Sequence, residues 1–212
     1  MNVGVLVSGE GTNLQALLDT VHGPQVEIET VHDPQVEIVA VASDQASSRA
    51  LERAAAAGVP TGVFLRSEHA DRAARDAAIA DWLAEHGVEL VVLAGYMAIL
   101  DAGFVARFPD RILNVHPALL PAFPGIRAVE QAVDHGVKVF GVTVHLVDEG
   151  VDTGPIVLQR AVELPEARTA AEVRDHLRPI EHELLPRAVA LMAAGRLRRD
   201  PDHPRRVLVR SD

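Results

Sequence analysis

Short runs of uninterrupted apolar residues alternate with longer stretches in which apolar positions recur every three or four residues. Residues 3–7, 38–42 and 88–94 are apolar almost throughout, the pattern of parallel strands buried on both faces. Between them, 14–18, the alanine-rich 47–57 and 70–86 read as helices, with Gly87 ending the third, and 62–65 reads as a short strand. Strand alternating with helix predicts an α/β fold: a Rossmann-like, mostly parallel sheet flanked by helices. Ligands of such sheets lie beyond the carboxyl ends of the strands. Residues 8–13, 95–100 and 114–125 all follow predicted strands, so they are expected along one edge of the molecule.

The second half has a different rhythm. A strand over 111–115 carries Asn114 and His116 into a loop that Pro117, Pro121 and Pro124 keep from becoming a helix or an inner strand. A helix over 128–135 follows. Long apolar runs at 137–147 and 156–162 flank an acidic glycine turn, and together predict an antiparallel hairpin at the edge of the sheet. Thr169-Ala170-Ala171-Glu172 is a capping box that opens a last helix, which Pro179 and Pro186 should kink or divide before Gly195. The 212 residues suit one domain over 1–195, with halves 1–109 and 110–195. A charged tail, 196–212, follows, with a last strand at 207–209. Residues 20–29 and 30–39 are nearly the same decapeptide, and only the second copy runs into a strong strand. The first copy is therefore expected to be a surface loop, which costs little closure entropy.

Composition narrows the chemistry. Aromatic residues are 3% against 48% hydrophobic, so the core must be aliphatic. A formal net charge of −10 opposes binding to nucleic acid, whose phosphates need a basic surface. Cysteine is absent, which excludes disulfides, thiolate metal sites and cysteine nucleophiles. His22 and His32 have no accompanying ligand pattern, so no metal is expected. The N-terminus enters a strand directly, and no apolar run approaches a membrane span, so a cytoplasmic protein without membrane contact is expected.

Two stretches carry candidate chemistry. Ser8-Gly9-Glu10-Gly11-Thr12-Asn13 joins a strand to a helix, where backbone N–H groups and a helix N-terminus favour an anion. Gly11, Thr12 and Asn13 are the candidate phosphate ligands. A dinucleotide fingerprint would need a third glycine where Leu14 stands, so one phosphate fits better. A dinucleotide binder, with Asp44 on a ribose hydroxyl, remains the alternative of another class. Asn114 and His116 lie two apart on an extended segment, so a neutral amide and a titratable imidazole face the same way.

Five motifs in order, Ser8 to Asn13, Ala94-Gly95-Tyr96-Met97, Leu113-Asn114-Val115-His116-Pro117-Ala118-Leu119-Leu120-Pro121, Phe123-Pro124-Gly125 and Asp152-Thr153-Gly154-Pro155-Ile156, are shared with one enzyme family, as is His145. On them the sequence resembles the phosphoribosylglycinamide formyltransferases, folate-dependent enzymes of purine biosynthesis. The resemblance implies a phosphate-binding half and a folate-cleft half. It also implies transfer of a formyl group from 10-formyltetrahydrofolate to the amine of glycinamide ribonucleotide. It implies Asn114, His116 and Asp152 as the catalytic trio, with Asn114 and a protonated His116 steadying an oxyanion and Asp152 assisting proton transfer. Gly11, Thr12 and Asn13 would take the acceptor's phosphate, and Glu181 with Arg178 the rest of the acceptor. Arg72, Met97, Ala98, Ile99, Leu100, Asn114, Asp148, Glu149, Gly150, Val151 and Asp152 would line the folate. The partners implied are these two small molecules alone, and a homodimer is left open. Ala98 stands where some members carry arginine, and Arg178 where members carry an amide. Methionyl-transfer-RNA formyltransferases share the core motif, but follow it with a tyrosine-arginine-glycine run and a basic C-terminal domain. Formyltetrahydrofolate hydrolases carry an added N-terminal regulatory domain. This chain shows neither pattern.

Overall fold

The apolar runs of the first half become strands. A computed structural model describes residues 1–22 and 35–210, in two compact units, Met1–Leu113 and Asn114–Asp212. In the first unit β1 (Asn2–Val7), β2 (Glu37–Ser43), β3 (Thr61–Val63) and β4 (Leu90–Leu93) are parallel, in the order β3-β2-β1-β4. Val91 N–H donates to the Arg111 carbonyl at 2.8 Å, so the chain entering β5 (Ile112–His116) continues beside β4. Helices α1 (Thr12–Thr20), α2 (Arg49–Ala56) and α3 (Arg72–Glu85) follow the first three strands. Leu14, Leu17, Ile79 and Leu83 from these helices are fully buried with Val5, Leu6, Ile38, Val41 and Val92 from the strands. That aliphatic core is the one the composition demands.

A fourth helix, α4 (Ala102–Arg107), has no counterpart in the sequence reading. It is six residues long and buries only Phe104, too short for a 3.6-residue period to register. Its start is set by Asp101, whose Oδ1 accepts from Gly103 N–H at 2.8 Å. The loop expected over 20–29 falls mainly outside the described residues. At the near end of the repeat, His22 Nδ1 accepts from the backbone N–H of Ile38 at 3.1 Å, and 38–42 is part of β2 as expected.

In the second unit α5 (Ala128–Asp134) precedes β6 (Val139–Leu146) and β7 (Ile156–Glu163). These two strands pair antiparallel from Val139↔Glu163 to His145↔Ile156, the hairpin the sequence predicts. Its expected place at the sheet edge is not what the fold adopts. The charged tail forms β8 (Leu197–Asp200) and β9 (His203–Val209), and β9 joins β7 in parallel at Ile156↔Arg206. The order is β6-β7-β9-β8, so the β8–β9 hairpin takes the edge. Unpaired backbone groups along β7 gain partners this way, and Arg198 and Arg199 give the new edge the charge that discourages further pairing.

The last helix, α6 (Ala170–Ala193), runs unbroken through Pro179 and Pro186, so the prolines do not divide it. Each proline removes one backbone hydrogen bond. Burial of Val173, Leu177, Leu184, Leu185, Ala188 and Val189 along the same helix outweighs that loss. Thr169 caps its start by accepting from Glu172 N–H at 3.2 Å, as the capping box predicts. Among the described residues no helix is long and apolar enough to cross a membrane.

Candidate active site

Asn114 and His116 lie on β5, and the turn between β6 and β7 brings Asp152 to them. Asp152 Oδ2 stands 3.3 Å from His116 Nδ1 and accepts from Gly125 N–H at 2.7 Å. Its Oδ1 accepts from Asn114 Nδ2 at 3.3 Å and lies 3.4 Å from His145 Nε2. Asn114 Nδ2 also approaches His145 Nε2 at 3.1 Å. With an imidazole nitrogen and a carboxylate as its neighbours, the amide must turn its NH2 toward them. His145 Nδ1 faces the Leu146 carbonyl at 2.8 Å, which places a proton on Nδ1 and leaves Nε2 to accept from Asn114. The sequence reading singled out His145 without giving it a role. The fold makes it the group that orients Asn114. Nothing local announces this, because the contact joins β5 to β6 across 31 residues.

His116 is 5% exposed. Burial pushes its imidazole below the ordinary value, against the upward pull of Asp152 and of the Phe123 carbonyl, which Nε2 faces at 2.8 Å. The ring is therefore held toward the neutral form, although both nitrogens face acceptors and an imidazolium would satisfy both. Asp152 behaves oppositely. Burial raises its carboxyl, but the contact with the His145 ring, the hydrogen bond from Gly125 and the nearby imidazoles outweigh that and bring it to about 2.

These shifts set an acid limb of stability. Both folded-state values lie below those of the unfolded chain, so both contributions are present at high pH and are lost as pH falls. The urea midpoint should begin to fall below pH 6.5 as His116 resists protonation, with His182, lowered by burial and Arg178, acting likewise. A second fall should come between 3.8 and about 2 from Asp152. The Asp152 share is worth about 2 kcal/mol. Asp152→Asn should flatten the lower fall and deepen the upper one, because the upward pull on His116 goes with the charge, as read by urea melts across pH.

In the first unit, Gly11 precedes α1 with a φ of 72°. Thr12 and Asn13 open the helix, Asn13 being buried and Thr12 partly so. Ser8 Oγ donates to Asp44 Oδ1 at 2.6 Å, so that carboxylate, the candidate ribose contact, is engaged by the chain itself. The segment after β4 exposes Met97 (65%) and Ile99 (56%), with Ala98 and Leu100 partly covered. Arg72 is exposed at the first turn of α3. In the second unit, Asp148 Oδ1 accepts from Gly150 N–H at 3.1 Å and from the Thr153 hydroxyl at 2.6 Å, which shapes the turn containing Glu149 and Val151. Glu181 is partly buried on α6, and Arg178 is exposed beside Asp175 at 3.5 Å. Among the described residues no group of three or more His, Asp or Glu side chains is placed to hold a metal ion.

Residues 1–189 match the sequence model of a family described as formyl transferase. The chain belongs to the formyl transferase family. A relative in Haemophilus influenzae, a phosphoribosylglycinamide formyltransferase, is 39% identical over 92% of this chain and 89% of its own length. The bovine trifunctional purine biosynthetic protein adenosine-3 is 41% identical over 92% of this chain, which spans only 19% of that longer protein. The crystal structure of glycinamide ribonucleotide transformylase 1 from Symbiobacterium toebii is 43% identical, with a TM-score of 0.89, over all of this chain and 94% of that one.

Proposed function

We propose that the chain transfers a formyl group from 10-formyltetrahydrofolate to the amine of glycinamide ribonucleotide. The observation that carries this reading is Asp152 bridging Asn114 and the two buried imidazoles, His116 and His145, in one cluster. The names of the Haemophilus and Symbiobacterium proteins support the choice of acceptor.

The amine attacks the formyl carbon, a C–N bond forms, and the carbonyl electrons move onto oxygen. That tetrahedral species bears an oxyanion and an ammonium, and an oxyanion needs preorganised donors. Asn114 Nδ2 supplies one by exchanging its long bond to Asp152 for a bond to the oxyanion, while His145 keeps the amide aimed. His116, neutral at the outset, takes the ammonium proton, directly or through a water. It becomes the imidazolium that Asp152 stabilises. The imidazolium is the second donor and returns its proton to N10 as the C–N10 bond breaks, leaving tetrahydrofolate and the formylated acceptor. No covalent enzyme intermediate or metal enters. The acceptor's phosphate is assigned to Gly11, Thr12 and Asn13, and its remainder to Glu181 and Arg178. The folate is assigned to Arg72, to Met97 through Leu100, and to Asp148 through Asp152.

The test is direct: purified protein, glycinamide ribonucleotide and 10-formyl-5,8-dideazafolate, with release of the deformylated folate followed by absorbance. Release that depends on glycinamide ribonucleotide supports the reading. Release that proceeds equally without it points to a hydrolase instead.

A further inference from the structure

The turn after β4 presents Met97 and Ile99 to solvent, yet its backbone is tied down by polar groups from distant parts of the first unit. At one end Met97 N–H donates to Ser8 Oγ at 2.9 Å, and the Ser8 hydroxyl in turn donates to Asp44 Oδ1 at 2.6 Å. One hydroxyl thus joins the ends of β1 and β2 to the loop after β4. At the other end Asp101 N–H donates to Asp76 Oδ2 at 2.7 Å. Asp76 is fully buried on α3, and its other oxygen accepts from Arg75 Nε at 2.9 Å and Nη2 at 2.6 Å. Arg75, 4% exposed, neutralises the carboxylate without competing for the oxygen that holds Asp101. Burying such a pair costs desolvation energy that apolar packing would avoid. Tyr96, which opens the same loop, is itself buried.

We infer that Ser8 and Asp76 are positioning residues for the formyl donor, holding residues 96–101 so that Met97 and Ile99 form a rigid apolar platform for the donor's flat ring system. This rests on the assignment of that loop to the folate. A loop fixed before the ligand arrives loses less entropy on binding, and the gain appears as affinity. Neither residue touches the reacting atoms, so the effect belongs in donor binding and not in turnover.

Ser8→Ala removes the acceptor of Met97 N–H with little change in volume. It should raise the donor's KM about three- to tenfold, the worth of one such hydrogen bond. Both kcat and the acceptor's KM should stay within about twofold. Amide exchange at Met97 should quicken, while the Ala94 amide, bonded to the Leu6 carbonyl at 3.0 Å, keeps its rate. Asp76→Asn should act likewise at Asp101. It strands Arg75 in the interior and is open to misfolding, so Ser8→Ala carries the test. Ile99→Ser separates the proposal from the assignment beneath it. If Ile99→Ser raises the donor's KM and Ser8→Ala does not, the positioning role is overturned alone. If Ile99→Ser leaves the donor's KM unchanged, the folate assignment of the loop is overturned, and the positioning role with it. A rise confined to the acceptor's KM in Ser8→Ala overturns the positioning role too, because Ser8 would then serve the phosphate turn.

Discussion

Asp152→Asn lowers kcat by about a hundredfold or more while the protein stays folded. The substitution is well chosen by the backbone itself. Asp152 has a φ of 52°, a left-handed conformation that asparagine tolerates about as well as aspartate, so the turn keeps its shape. Asparagine also retains one carbonyl oxygen to accept from Gly125 N–H. What it lacks is the negative charge that stabilises the His116 imidazolium, and the second oxygen that serves Asn114. His116→Ala and Asn114→Ala should each cost about as much, the first by removing the proton carrier and the second by removing an oxyanion donor. Because the three act on one transition state, the double variants should lose far less than the product of the single losses. Steady-state kinetics with circular dichroism as the folding control decides the matter. Turnover near that of the parent in Asp152→Asn would remove this cluster from the chemistry.

Gly11→Val is expected to destabilise the protein by about 3 kcal/mol, and to do so before any ligand is considered. A Cβ on Gly11 would stand 2.5 Å from the Cβ of Ala50 and 2.7 Å from its Cα, and a φ of 72° penalises a β-branched residue further. The glycine exists first to let α2 approach the β1–α1 turn. That contact is bonded on both sides, since Ala50 N–H donates to the Gly9 carbonyl at 3.2 Å and Ser48 Oγ donates to the same carbonyl at 2.9 Å. A urea melt should show the loss with no phosphate present. If Gly11→Val is as stable as the parent and only acceptor binding suffers, the packing argument fails and the glycine serves the phosphate alone. Competition by inorganic phosphate against glycinamide ribonucleotide, and not against the folate, is the cleaner probe of the phosphate assignment.

Strands β1, β2 and β4 were legible because each is an apolar run bounded by glycine or polar residues, and a doubly buried strand requires little else. The Asn114–His116 spacing was legible because the two-residue period of a strand decides which side chains share a face. Three features escaped for different reasons. The helix α4 is held by a cap and one phenylalanine, below the length at which periodicity speaks. The β8–β9 hairpin carries arginines that read as a solvated tail, and it pairs with β7 only because that strand had an open edge. His145 and Asp76 exert their effects through partners 31 and 25 residues away, and no local pattern encodes such a contact. Burial of His116 likewise could not be read from its neighbours.

Pro179 and Pro186 are seven residues apart on α6, two turns of helix less about 20°. The carbonyls of Asp175 and His182, which lose the N–H four residues ahead of them, therefore lie almost along one line on the helix surface. A rod scored twice along one line is soft in a single bending direction and keeps its stiffness against the others. Arg178 and Glu181 sit between the first and second score. Flexing of α6 would swing these two side chains together through one arc, so their spacing is preserved while their reach changes.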